Sequence, residues 1–148
     1  MQGPEQLRIA FFAKTHRRSR ITSHIERALA SLGHEVRRFN WRKLRRRLGT
    51  RLGRSFVQQR VDRFAPDWIL VFTLDIDLPL LRDLATRYRT AQLYDDCNVP
   101  LRPEVLEHAR TVHDFFVTAR GQVATYHEAG VARAHYVTGG CDPDDHFR

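Results

Sequence analysis

The sequence predicts an α/β fold, doubly wound around a mostly parallel, Rossmann-like sheet with helices on both faces. Short apolar runs without a helical stripe alternate along the chain with segments whose apolar residues recur every three or four positions. The connections are long enough for right-handed crossovers, which make successive strands parallel. The 148 residues suit one domain of ordinary size.

The first predicted strand is Leu7–Ala13, a short apolar run of the kind that is buried in parallel sheets. A helix follows that is capped by Ser23 and runs to about Leu32, where Gly33 supplies a C-terminal stop. Glu35–Phe39 is the second strand. Its polar residues indicate a position near an edge of the sheet.

The next segment, Trp41–Phe64, is helical in pattern and strongly basic. Gly49 and Gly53 interrupt it, which predicts two shorter helices. Between Arg37 and Arg63 there are 11 basic residues and one acidic residue, whereas the net charge of the whole chain is only +8. An apolar stripe runs along the segment at Trp41, Leu44, Leu48, Leu52 and Phe56.

The remaining chain repeats the alternation of strand and helix. The predicted strands are Trp68–Phe72, Thr90–Tyr94, Phe115–Thr118 and His135–Val137. The predicted helices are Leu78–Tyr88 with Pro79 in its first turn, Pro103–Ala109, and Gly121–Ala129 closed by Gly130. Together these elements predict a sheet of six strands.

Several kinds of site are excluded by the sequence. The first loop lacks the glycines of GxGxxG and no GxxxxGK[ST] occurs, so that no dinucleotide cofactor is expected. His16, His113 and His135 show no metal spacing, and the two cysteines, Cys97 and Cys141, are too few for a disulfide scaffold. No apolar run approaches the roughly 20 residues of a membrane helix. We expect a soluble, cytoplasmic domain without a metal.

Ligands of open parallel sheets bind beyond the carboxyl ends of the strands, so the residues that follow each strand are candidates. The candidate substrate-binding residues are Lys14, Thr15, Arg17, Arg18, Thr73, Asp75, Asn98, Arg120, Gly139 and Gly140. The basic loop after the first strand leads into a helix, which is a general anion site. A solvated basic loop is the alternative interpretation.

Asp95 and Asp96 form the most specific pattern at this rim. Two adjacent carboxylates after a buried strand repel each other, which suggests that they have a use. They could act as a general base or bind sugar hydroxyls. Alternatively, Asp96 caps the turn before Pro100.

Four stretches of the chain resemble the N-terminal half of GT-B glycosyltransferases of the spore-maturation-protein type. The first, residues 8–41, contains the phrase LGHEV before the second strand. The others are PDWILVF, LYDDCNVP, and the segment from residue 114 to the end with YHEAG and GGCDPDDHF. The resemblance covers nearly the whole chain.

The resemblance implies an acceptor-binding domain whose partners are a nucleotide-sugar donor and an acceptor. The cleft would hold Asp95 and Asp96 as catalytic residues, with His16 on the facing loop. Members of that family carry most donor contacts on a second domain, which we expect to lie outside this chain. We therefore expect the chain to be inactive alone. The bulky basic loop at Lys14 departs from the family pattern and raises the prospect of an anionic acceptor.

The rival hypothesis is a freestanding basic module that binds an anionic membrane or nucleic acid. It assigns membrane contact to Trp41, Arg42, Arg45 and Arg46, at the inner face of the membrane, while Leu52 and Phe56 pack on the sheet. Nucleic acid is less favoured, because the pairs of exposed aromatic residues typical of single-strand binding are missing.

Overall fold

Six parallel strands form a single sheet in the structure, a computed structural model that describes residues 5–14 and 20–140. The strands are β1 (Arg8–Phe12), β2 (Glu35–Phe39), β3 (Trp68–Phe72), β4 (Arg89–Tyr94), β5 (Asp114–Val117) and β6 (Ala134–Tyr136). Their order in the sheet is β2-β1-β3-β4-β5-β6. The predicted α/β class is confirmed, and so is the edge position of the second strand.

The helices are α1 (Arg20–Ser31), α2 (Trp41–Phe64), α3 (Leu78–Ala85), α4 (Pro103–Thr111) and α5 (Gln122–Glu128). The chain winds from β1 to β2 in one direction and from β2 to β6 in the other, so right-handed crossovers place α1 on one face and the other helices opposite. The two apolar clusters of the core are consistent with this placement of the helices. Ile25 of α1 packs with Phe11 and Phe72 in the smaller cluster, whereas α2 to α5 share the larger one. No helix among the described residues is long and apolar enough to cross a membrane.

The end of α1 follows the sequence prediction, but its start does not. Gly33 has φ +91°, and its N–H donates to the carbonyl of Ala30. The N–H of His34 donates to the carbonyl of Leu29. This pattern is the Schellman motif that glycine favours. Ser23 is not the N-cap, because the helix already begins at Arg20 and includes it. Helix α3 is shorter than predicted and ends at Ala85. The hydroxyl of the next residue, Thr86, donates a hydrogen bond to the carbonyl of Asp83.

Helix α2 turns sharply at Gly49, which has φ +74° and ψ 173° inside an otherwise helical segment. The predicted break is therefore confirmed at Gly49, whereas Gly53 is helical. A Cβ on Gly53 would lie 3.2 Å from the Trp41 ring and 3.6 Å from the Cα of Arg45. Arg45 and Gly53 would be about 12 Å apart along a straight helix. The two parts of α2 thus fold back on each other, and we call residues 45–52 the α2 corner.

This turn overturns the predicted roles of the apolar stripe. Trp41 is 2% exposed and belongs to the core, so it cannot contact a membrane. Leu52 and Phe56, which we expected on the sheet, are exposed. The reason is that the break at Gly49 changes the helical register. The second part of α2 buries instead Gly53, Val57, Val61 and Phe64.

Asp114 lies at the start of β5 with its carboxylate almost buried. Arg133 donates two hydrogen bonds to its Oδ1, of 2.9 and 2.6 Å, and His135 Nε2 lies 3.1 Å from the same atom. Burial acts to raise the pKa of Asp114, but the bonds from Arg133 and His135 outweigh it and hold the pKa below its usual range. His135 is therefore structural, as its lack of metal spacing indicated.

We predict that Gly53→Leu lowers the free energy of unfolding by about 1–3 kcal/mol, because the added side chain has no room beside Trp41. The control is Ser55→Leu, which places the same side chain on the exposed face of the same helix and should change stability by less than about 0.5 kcal/mol. Both are measured by urea unfolding. Equal stability of the two variants would contradict the close contact.

We predict that Arg133→Gln lowers the free energy of unfolding at pH 7 by about 1 kcal/mol. The pKa of Asp114 is depressed in the folded state, so the stability it contributes is present above the unfolded value of about 3.9 and is lost as the pH falls through the folded value. The difference between the variant and the parent should therefore shrink in acid. A difference that does not change between pH 7 and pH 2 would refute the ion pair as its cause.

Candidate active site

A cavity of about 570 Å³ opens at the carboxyl end of the sheet. It lies where strand order reverses between β1 and β3, the position at which open α/β sheets bind ligands. Its walls come from the segments after β1, β3 and β4 and from the starts of α1, α2 and α4. The lining residues are Lys14, Thr22, Arg42, Phe72, Thr73, Leu74, Asp75, Tyr94, Asp95, Asp96, Arg102 and Glu104.

Asp75 is the buried anion of this pocket, with only 2% of its surface exposed. Its Oδ2 accepts a 2.8 Å hydrogen bond from the backbone N–H of Lys14. Its Oδ1 lies 3.4 Å from Arg42 Nε and 3.7 Å from Lys14 Nζ. The same Oδ1 accepts no hydrogen bond from any described residue. Two cations thus compensate the carboxylate, whose Oδ1 is itself buried.

A tight turn over residues 72–75 places Asp75 in this position. The N–H of Asp75 donates to the carbonyl of Phe72, and Thr73 has φ +49°, an uncommon conformation for a β-branched residue. The backbone of Thr73 is held on both sides, by its own N–H to Leu93 and by the side chain of the fully buried Gln92, which donates to its carbonyl at 2.6 Å. Such strain persists only where the surroundings enforce it, and it is concentrated at functional sites.

Asp95 follows β4 directly and is partly buried. Burial raises its pKa, and the negative charges of Asp96 and Asp75 raise it further, while a backbone hydrogen bond opposes the shift. A carboxylate with a raised pKa accepts a proton more readily than an ordinary one. Asp96 beside it is exposed. The two carboxylates therefore differ in burial, and Asp95 is the candidate base.

Tyr94 and Arg102 complete the wall on the side of Asp96. Tyr94 is buried, and its hydroxyl accepts a short hydrogen bond from Asn98. Burial and the charge of Asp96 raise the pKa of this tyrosine, so it stays a neutral hydroxyl at pH 7. Arg102 forms an ion pair with Glu104, and both side chains are about half exposed.

The structure brings together only some of the residues that the sequence singled out. Those that line the cavity are Lys14, Thr73, Asp75, Asp95 and Asp96. Those outside the described residues are Thr15, His16, Arg17 and Arg18. Those that do not line it are Asn98, Arg120, Gly139 and Gly140. The side-chain amide of Asn98 donates a hydrogen bond to the hydroxyl of Tyr94. The guanidinium of Arg120 stacks 5.0 Å from the centre of the Tyr136 ring.

Sequence reasoning missed Arg42, which we expected at a membrane and which instead approaches Asp75. The sequence contains a signal for this position, the N-capping residue Asn40. Asn40 accepts a hydrogen bond from the N–H of Lys43 as the N-cap of α2, and it directly follows β2. The first turn of α2 therefore lies at the same edge of the sheet as the other candidate loops.

No protein-family model and no curated protein sequence matches this chain. The chemistry open to the site is set by its own groups. It combines a buried hydrogen-bond acceptor, two cations within reach of it and a carboxylate with a raised pKa. No group of three or more His, Cys, Asp or Glu side chains in the described part of the chain could hold a metal ion. The arrangement suits a ligand rich in hydroxyl groups that loses a proton to Asp95.

We predict that Asp95→Asn stabilises the fold at pH 7. Because the folded pKa of Asp95 is raised, the stability that its protonated form contributes is present at low pH and is lost as the pH rises through the folded value. The amide cannot ionise and avoids this loss. Urea unfolding from pH 3 to pH 7 should give similar free energies of unfolding for the two proteins in acid. At pH 7 the variant should have the higher free energy of unfolding. A parent whose advantage over the variant grows with pH would contradict the raised pKa.

Proposed function

We propose that the chain is the acceptor-binding domain of a two-domain GT-B glycosyltransferase of the spore-maturation-protein type. The observation that supports this best is the placement of Asp95, a carboxylate with a raised pKa, in the cavity at the reversal of strand order. The resemblance of the DDCNVP segment to that family points to the same residues. The acceptor is a hydroxylated molecule, and the donor is a nucleotide sugar.

Asp95 is the general base of the proposed reaction. Its carboxylate takes the proton of the acceptor hydroxyl as the hydroxyl oxygen bonds to the anomeric carbon of the donor sugar. The bond between that carbon and the nucleotide diphosphate breaks, and the diphosphate leaves with the electron pair. The base needs to lie about 3 Å from the hydroxyl oxygen. Asp96 adds negative charge that keeps the pKa of Asp95 high.

Asp75 and its two cations orient the acceptor. Asp75 holds the two cations in place, because its buried Oδ1 lies 3.4 Å from Arg42 Nε and 3.7 Å from Lys14 Nζ. Lys14 and Arg42 are each exposed by nearly half and donate to further ligand oxygens. Fixing two points of the acceptor holds its reacting hydroxyl against Asp95, which lowers the entropic part of the barrier.

The proposal assigns the donor to a second α/β domain. None of the described loops that line the cavity has the glycine spacing that lets a diphosphate approach the backbone. The isolated chain should consequently bind acceptors without transferring sugar. Amide NMR spectra recorded during titration with glycosides and polyols should shift at Lys14, Thr73 and Asp95. Sugar transfer by the 148-residue chain alone, or acceptor binding elsewhere, would overturn the proposal.

For the intact enzyme we predict that Asp95→Asn lowers kcat by about 10²- to 10⁴-fold, the usual effect of losing a general base. Asp96→Asn should have a smaller effect, because it only lowers the pKa of its neighbour. Asp83→Asn is the control, since this aspartate of α3 pairs with Arg87 and does not line the cavity. Turnover that survives replacement of both Asp95 and Asp96 would remove the base from the mechanism.

A further inference from the structure

The α2 corner is the most exposed apolar and basic feature of the described chain. Every residue from 45 to 52 is exposed, although the segment is helical on both sides of Gly49. A helical segment with no buried face does not contribute to the core. Two leucines nevertheless lie in it: Leu48 is 39% exposed and Leu52 is 68% exposed. Phe56, one turn beyond Leu52, extends the apolar surface.

The corner also carries cations without acidic partners. No acidic side chain among the described residues lies within 4 Å of Arg45, Arg46, Arg47 or Arg51. The arginines on either side of the corner, by contrast, have acidic partners. Arg42 approaches Asp75, and Arg54 pairs with Asp77 at 2.7 Å. The structure thus compensates Arg42 and Arg54 and leaves the corner between them positive.

We propose that the α2 corner binds an anionic lipid surface, with Leu48 and Leu52 entering the interface and the four arginines contacting lipid phosphates. The charge complements an anionic bilayer, and the leucines distinguish this partner from nucleic acid. Phosphodiester backbones attract arginines but give leucine side chains no apolar medium to enter. The surface does not overlap the cavity and does not depend on the sugar-transfer proposal.

The experiment is cosedimentation of the whole chain with vesicles of phosphatidylcholine alone and of phosphatidylcholine mixed with phosphatidylglycerol. We expect binding to the anionic vesicles only, and weaker binding at moderate than at low salt. Duplex DNA in a separate titration tests the nucleic-acid alternative. Equal binding to both kinds of vesicle, or to neither, overturns the proposal.

Two variants locate the binding at the corner. Arg47→Gln/Arg51→Gln should lower the partition coefficient on the order of 30-fold at low salt, from about fivefold per arginine. The control Arg82→Gln/Arg110→Gln removes the same charge from α3 and α4, where both arginines pair with Glu107. An equal loss in the control would show that overall charge is responsible, and the proposal would fail.

The second variant is Leu52→Gln, which keeps every charge. We expect a fall in vesicle binding of roughly five- to tenfold, from the loss of one leucine in the interface. Its control is Leu32→Gln, because Leu32 is 60% exposed but lies after α1. Circular dichroism verifies that each variant is folded. The proposal fails if Leu52→Gln leaves vesicle binding unchanged. It also fails if the chain binds duplex DNA more tightly than the vesicles and Leu52→Gln leaves that DNA binding unchanged.

Discussion

The reversal of winding direction in the sheet determines where the helices and the cavity of this molecule lie. The chain leaves β1 towards one edge and returns past it to build β3 to β6 on the other side. Among the described residues, right-handed crossovers then place α1 on one face and α2 to α5 on the opposite face. The segments after β1 and β3 diverge for the same reason, and the space between them is the cavity. A protein with this strand order opens its main polar pocket there whatever its chemistry.

The cavity separates two tasks between carboxylates in different surroundings. Asp75 is buried, accepts a hydrogen bond from the N–H of Lys14 and faces two cations. Burial raises the pKa of Asp95, and the negative charges of Asp96 and Asp75 raise it further. Two carboxylates in unlike surroundings are a common way for an active site to obtain different chemistry from the same kind of side chain.

Much of this was predictable from the sequence, because it depends on local pattern. The α/β class, all six strands to within one or two residues, the Gly33 cap and the break at Gly49 follow from apolar periodicity and glycine placement. The positions of Asp75 and Asp95 follow from the rule that sites lie after strands. The burial of Trp41 was not predictable, because it depends on contact with Gly53 across the turn. The same turn exposes Leu52, and no helical wheel that ignores the turn could show it.

Arg42 has a consequence that reaches beyond the pocket. It belongs to the same short helical part of α2 as the corner, and that part is fixed at its start by Trp41 in the core and by the contact of Arg42 with Asp75. A ligand that displaced Arg42 from Asp75 would remove one of the two restraints on the segment that leads to residues 45–52. Thermodynamic linkage makes any such coupling reciprocal: whatever is held at the far end of the segment must change the affinity of the pocket by the same factor. If the corner is held by a partner, Arg42 is the side chain through which that contact and occupancy of the cavity would share one equilibrium.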